Sequence, residues 1–393
     1  MQSGRNAMTK VAAAKTRQKR TNAKNSRCCL PRELPSSTCP FSLAAIILDI
    51  INLFSANYNH TKASVSAMPA LLTIPLEVRD RILAEVVSAE RIASHDPDIE
   101  NRVQLRDVKF KGWKAGKNIM YEKENSRITQ IPTLLVNHQL HLETLAAIKR
   151  LPTKHSYVLD MMFVDERWLC PTWLSVPCLS MRVDKVYAAL RTVNKGRRGR
   201  AFSGGDGSPP EIVWLFYELL ERFLHVGPVG QRKEGNEEKK YKYFTIKTLD
   251  IDVITPDQST PYLETGYGLP RLISPRDLPR KDTKADEYAC GLCSLMRNRI
   301  YSLLYMGYHT AEYGTLLYER IGKIRILLDG EVEQEWDIAE ELKRLTFNNS
   351  FSNVSREQRP QVFEDWKKKA HDLRVKLGLP VLAEDSTTEE TKI

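Results

Sequence analysis

Four groups of side chains stand at spacings that catalysis or metal binding could use. Cys290 and Cys293 lie three residues apart, and two thiolates at that spacing can share one zinc ion. A structural zinc takes four ligands. No second Cys-x-x-Cys exists, and the next histidine, His309, stands alone. The pair reads as two small apolar residues on a helix. His138 and His141 are also three apart, close enough on a helix to hold one metal, but Glu143 does not occupy the base position of an HExxH pattern. They read as helix-surface histidines.

Asp160, Asp165 and Glu166 gather near Phe163, Trp168 and Trp173. One carboxyl raised and one ionised would make an acid/base pair, while the commoner arrangement is solvated acids at a strand end beside packed aromatics. No GxSxG elbow is present. Residues 199–206 have the glycine spacing of a phosphate-binding loop, but Gly205-Asp206 stands where Lys-Ser/Thr is needed. The sequence therefore names no catalytic residue, no cofactor and no metal ligand, and the expectation is a protein that is not an enzyme.

Charge gives the next question. Among the 393 residues the net charge is +10. Residues 1–32 hold nine basic side chains (Arg5, Lys10, Lys15, Arg17, Lys19, Arg20, Lys24, Arg27, Arg32) and no acid, so removing those nine from +10 leaves about +1 for the rest. The basic balance describes a tail, not a binding face. Residues 109–123 interleave five lysines with Phe110, Trp113 and Tyr121, a composition suited to stacking on single-stranded nucleic acid. An exposed insertion is the reading adopted here, because the charge is local and no RNP pattern accompanies it. Nucleic acid is the alternative partner.

Seven cysteines without a regular framework argue against a disulfide-built secreted domain. The apolar stretch 43–54 is broken by Asp49 and Asn52 and falls short of the roughly 20 residues a bilayer span needs. The expectation is a reduced, soluble, intracellular protein of the nucleus or cytoplasm, with no membrane partner. The run 15–20 is a nuclear-localisation patch, a presequence or a solvated tail; the residues do not separate these.

The elements follow from periodicity. Residues 71–87 read as an amphipathic helix opened by Pro75 and Glu77, with Val78, Ile82, Leu83 and Val86 on one apolar face. A polar stretch, 88–129, precedes a second helix at 132–150. Strands are expected at 157–164, 182–193, 244–254 and 323–328, and helices at 211–226, 285–318 (as two), 337–345 and 362–377. An apolar loop is expected at 168–174, and surface loops at 194–210, 232–242 and 256–283. The fold class is mixed α/β (α+β), with no strand order derivable. Residues 1–67 form a basic disordered tail with a short apolar segment. Residues 68–380 form one domain, helical over 71–150 and α/β over 151–380, and 381–393 is an acidic disordered tail.

Two stretches carry a resemblance. Leu71-Leu72-Thr73-Ile74-Pro75-Leu76-Glu77-Val78-Arg79-Asp80-Arg81-Ile82 resembles the LPxEIRxxI opening of F-box-like domains. Pro132-Thr133-Leu134-Leu135-Val136-Asn137-His138-Gln139-Leu140-His141-Leu142-Glu143-Thr144 resembles the PxLLxVNRQIxxEA segment of filamentous-fungal F-box-like proteins. Residues 161–174 are similar to a region that follows it in some of them, so the resemblance covers about residues 70–255. His138 stands where that segment carries arginine, and 88–129 replaces a far shorter connection. The resemblance implies a helical F-box-like N-terminal part that docks on the Skp adaptor of a cullin ubiquitin ligase, with the mixed sheet-and-helix region choosing a target protein. The protein-binding residues it implies are Ile74, Pro75, Val78, Ile82 and Val86, an apolar helix face fitted to a groove. The other reading of the same helices is a pair that packs together as core, with no adaptor.

Overall fold

Helical and strand periodicities alternate along this chain, and alternation of that kind builds a largely parallel sheet with crossover helices. The computed structural model describes residues 69–105, 108, 116–123, 137–193, 210–228, 243–256 and 285–382. The expected N-terminal tail, the C-terminal tail after Leu382, the loops at 194–209, 229–242 and 257–284, and the glycine-spaced stretch 199–206 lie outside the described residues.

The helices are α1 (Pro69–Leu72), α2 (Leu76–Ser88), α3 (His138–Arg150), α4 (Glu211–Val226), α5 (Ala285–Leu304), α6 (Ala311–Arg320), α7 (Ile338–Arg344) and α8 (Arg359–Leu377). The strands are β1 (Arg102–Val103), β2 (Tyr121–Glu122), β3 (Ser156–Val164), β4 (Trp168–Ser175), β5 (Arg182–Val193), β6 (Thr245–Ile254), β7 (Ile321–Leu328) and β8 (Glu331–Asp337). The class is mixed α/β. β1 and β2 form a small antiparallel pair, and the other six make one sheet of order β4-β3-β5-β6-β7-β8. β3, β5, β6 and β7 run parallel in chain order, while β4 and β8 pair antiparallel at the two edges.

Crossovers that step in one direction with one hand place their helices on one face of the sheet. The main core follows that rule. Leu159, Met161 and Phe163 of β3, Ala188 and Leu190 of β5, Leu249, Ile251 and Val253 of β6, and Ile324 and Ile326 of β7 pack with Leu215, Leu219 and Phe223 of α4 and Leu292, Met296 and Ile300 of α5. The chain returns from β4 to β5 past the start of β3. There the buried Tyr157 hydroxyl donates to Cys178 O and accepts from Ser180 N, both at 2.8 Å.

Three local outcomes differ from the sequence reading. The expected 71–87 helix is interrupted at Thr73–Pro75, because Pro75 lacks the N–H that would continue α1. The apolar loop at 168–174 is strand β4; Pro171 masks its alternation but sits opposite Met161, which is tolerated on an edge strand. The outer side of β4 is covered by the 118–120 backbone, with Met120 N donating to Leu169 O at 2.8 Å and Leu169 N to Asn118 O at 2.9 Å. β8 was not anticipated, since Glu331-Val332-Glu333-Gln334-Glu335 reads as polar; such charge is how an exposed edge avoids further pairing. Asp329 and Gly330, both at positive φ (51° and 84°), form the two-residue turn into β8.

α5 and α6 meet at a glycine. A Cβ on Gly314 would stand 2.3 Å from Leu303 O and 2.5 Å from Met306 Sδ, and a backbone carbonyl cannot swing aside. Gly314→Ala is expected to destabilise the protein by about 1–3 kcal/mol, read as a lowered midpoint of urea unfolding with an unchanged slope.

Candidate functional site

α2 and α3 pack as a pair whose buried residues stand apart from the main sheet core. α3 begins at Asn137, whose side-chain oxygen accepts from Leu140 N at 2.8 Å and caps the helix. Between the helices lie Leu83 and Val87 of α2 against Leu140, Ala147 and Ile148 of α3. The polar centre of this interface is Arg79. Its Nε and Nη2 donate to Glu143 Oε2 and Oε1 at 2.9 and 2.7 Å, and its Nη1 donates to Leu72 O at 3.0 Å and to Ile74 O. A planar fork meeting a carboxylate in two bonds fixes both distance and angle. One guanidinium therefore joins the two motif stretches, 64 residues apart, and also holds the α1–α2 junction. A second, exposed bridge runs from Arg150 to Asp80 at 2.9 Å.

Arg79, Leu83 and Val87 are the inward stripe, so the neighbouring stripe points away from α3. Val78 is 46% exposed, Pro75 is exposed, and Ile74, Ile82 and Val86 are half-buried. All five residues implied by the resemblance are thus on or beside one accessible strip of α2. Periodicity had grouped Leu83 with Val78 and Ile82; the structure turns Leu83 inward and leaves the other two outside.

The carboxylates considered for acid/base work do not converge. Asp165 is exposed and Glu166 half-buried in the β3–β4 turn, where the Tyr288 hydroxyl donates to Glu166 at 3.4 Å. Asp160 lies five residues earlier, about 16 Å along a strand, and 1% exposed. It accepts two bonds at 2.6 Å from Arg191, which also donates to Ser94 O. Asp160 belongs to a row that no single motif revealed. Two strands away, on β6, Asp250 accepts from Arg325 at 2.7 and 2.6 Å and from Lys185 at 3.1 Å. Asp252 accepts from the Tyr187 hydroxyl at 2.5 Å and from Gly330 N at 3.1 Å. Burial, and then Asp252, push the Tyr187 hydroxyl above its ordinary pKa. The signal was the alternation Leu249-Asp250-Ile251-Asp252-Val253, which puts both acids on the face opposite α4 and α5.

Cys293 is in the core and burial pushes its thiol up to about 11, while Cys290 is exposed. His138 is exposed and His141 half-buried on α3. Among the described residues no three His, Cys, Asp or Glu side chains gather at a metal-binding spacing, and no helix is long and apolar enough to cross a membrane. Residues 109–115 of the lysine-rich stretch lie outside the described residues. Its Tyr121 is 3% exposed in the main core, with the Arg222 guanidinium 4.5 Å above the ring, so it is a packing residue and not a stacking platform. This corrects the reading of 116–123 as an exposed insertion: the apolar Ile119 and Tyr121 pull that part onto the sheet edge. The clefts at the start of β5 and β6 (about 360 Å³) and between α7 and α8 (about 640 Å³) contain none of the residues proposed from sequence.

No known protein family, curated protein or solved structure matches this chain.

Two outcomes follow from the ion pairs. The hydrogen bonds of Arg79 hold Glu143 below the usual carboxylate range, with burial opposing them. A lowered carboxylate pKa stabilises the fold fully above about pH 4.3, and that contribution is lost as pH falls through the lowered value. Amide exchange in α2 and α3 is therefore expected to quicken on acidification below pH 4, and Glu143→Gln should flatten that dependence. On the sheet, Arg191→Met leaves Asp160 buried without its cation. The expected cost is roughly 2–3 kcal/mol, less than for a fully enclosed pair because Arg191 is about a fifth exposed. Adding Asp160→Asn should recover most of it in the same urea titration.

Proposed function

We propose that this chain is a non-enzymatic protein-interaction protein of F-box-like type, acting in the nucleus or cytoplasm. In this reading α2 docks on the Skp adaptor of a cullin ubiquitin ligase, and the α/β region presents a target. The observation that carries it is the division of α2 into two stripes. Arg79, Leu83 and Val87 are used up by α3, whereas Ile74, Pro75, Val78, Ile82 and Val86 stay accessible. A helix serving only as core would have both apolar stripes covered.

The strip is enough to anchor a partner but not to hold it alone. Completing the burial of five partly exposed apolar side chains is worth on the order of 4–6 kcal/mol, below the roughly 8 kcal/mol of a micromolar complex. The polar rim beside it, including Glu77 and Arg81, must then contribute as well.

Ile74→Asp with Val78→Asp puts two charges into the strip without touching the Arg79–Leu83–Val87 stripe. The double variant is expected to keep the wild-type circular dichroism and melting temperature and to lose at least 90% of co-purification with a filamentous-fungal Skp adaptor, a loss of about 1.4 kcal/mol or more. Undiminished co-purification by the folded double variant would sink the proposal.

A further inference from the structure

Where β6 and β7 begin, one buried cation has no hydrogen-bond acceptor among the described residues. Arg320 is the last residue of α6 and is 9% exposed. Its Nε is buried with no hydrogen-bond partner. Two other guanidinium groups buried to the same degree or more are fully engaged. Arg102 donates to Pro97 O, Met120 O, Pro171 O and Thr172 Oγ1. Arg374 donates to Tyr318 O, Ile321 O and Pro380 O. Arg320 instead has a ring: its Cζ stands 4.6 Å from the centroid of Tyr243. Glu319, the neighbouring acid, accepts from Trp366 Nε1 at 3.1 Å. Burial lowers the Arg320 pKa below its ordinary value, with the nearby Glu319 opposing it.

The ring is placed with some strain. Tyr243 adopts φ 43°, a left-handed backbone that bulky residues avoid. Its ring lies between Arg320 and His225, whose centroid is 5.6 Å away. The three side chains come from α4, the residue pair before β6, and α6. Phe244 N donates to Leu224 O at 2.7 Å, and Gly227 at φ 73° lets the Phe244 ring close on the end of α4. The support is rigid, and Tyr243 at 43% exposure opens it to solvent.

We propose that Arg320, steadied by Tyr243 and flanked by His225, is a binding site for an oxyanion, a phosphate or carboxylate group carried by a ligand or partner. A guanidinium presents a fork that matches either group in two bonds, and stacking on an aromatic face fixes its plane while leaving those bonds free. The site is independent of the α2 strip, so failure of adaptor binding leaves it standing.

The test is calorimetric titration of the full chain with inorganic phosphate and, separately, with acetate, at matched low ionic strength. Wild type is expected to bind at least one of them, and the anion that binds identifies the group. Arg320→Gln should weaken that binding at least tenfold, yet melt no lower than wild type without anion, because it removes an unpaired buried charge. Tyr243→Ala, at a more exposed position, should also weaken binding. No binding of either anion by wild type, or equal binding by wild type and both variants, would overturn the proposal. A large fall in the melting temperature of Arg320→Gln without anion would also do so, by giving Arg320 a structural role.

Discussion

Everything in the α/β region depends on how four parallel strands satisfy two faces at once. Parallel strands are stable when both faces are covered, and here the two coverings differ in kind. One face of β3, β5, β6 and β7 is apolar and carries α4 and α5. The other sets Asp160, Asp250 and Asp252, each 1% exposed, against Arg191, Arg325, Lys185 and Tyr187, beside a small apolar cluster of Met162, Val164 and Cys170 at its β3–β4 end. These pairs contribute little net stability beyond what an apolar row would give. What they contribute is register. A slip of one residue in β6 would drive Asp250 and Asp252 into the layer occupied by Leu249, Ile251 and Val253, stranding two carboxylates in the apolar core. The parallel order is therefore enforced by what the alternatives would bury.

The same reasoning accounts for what could be read from the residues alone. β5 and α4 occupy the spans periodicity gave them, 182–193 and 211–226, because their apolar patterns are uninterrupted. β4 was hidden by Pro171, and β8 by its run of charge. Strand order was out of reach, since partners such as Asp250 and Arg325 are 75 residues apart and nothing local encodes the pairing. On α2 the periodicity located the helix but not its inward stripe. That choice is made by Arg79 finding Glu143 across 64 residues. Among the candidate residues, Ile74, Ile82 and Val86 are half-buried and Val78 is exposed, beside the inward stripe. Tyr121 went the other way, into the core, because its ring has an apolar slot beside Arg222 and no reason to face water.

Buried guanidinium groups connect these regions, and they differ in one respect that bears on function. Arg79, Arg102 and Arg374 each tie together segments distant in sequence: the two motif stretches, the 97–103 segment with β4, and the last turn of α8 with the α6–β7 junction. Each has acceptors arranged about it, and in each the cost of burying the charge is offset by bonds that no shorter side chain could make. Arg320 makes no hydrogen bond of this kind among the described residues. It is held by a ring whose own backbone is strained, at the end of α6 where β7 begins, and a methionine there would cover the same apolar surface without burying a charge. A purely structural role would be served better by that substitute. The buried Nε of Arg320 makes no bond among the described residues, which leaves the fork of the guanidinium for an oxyanion.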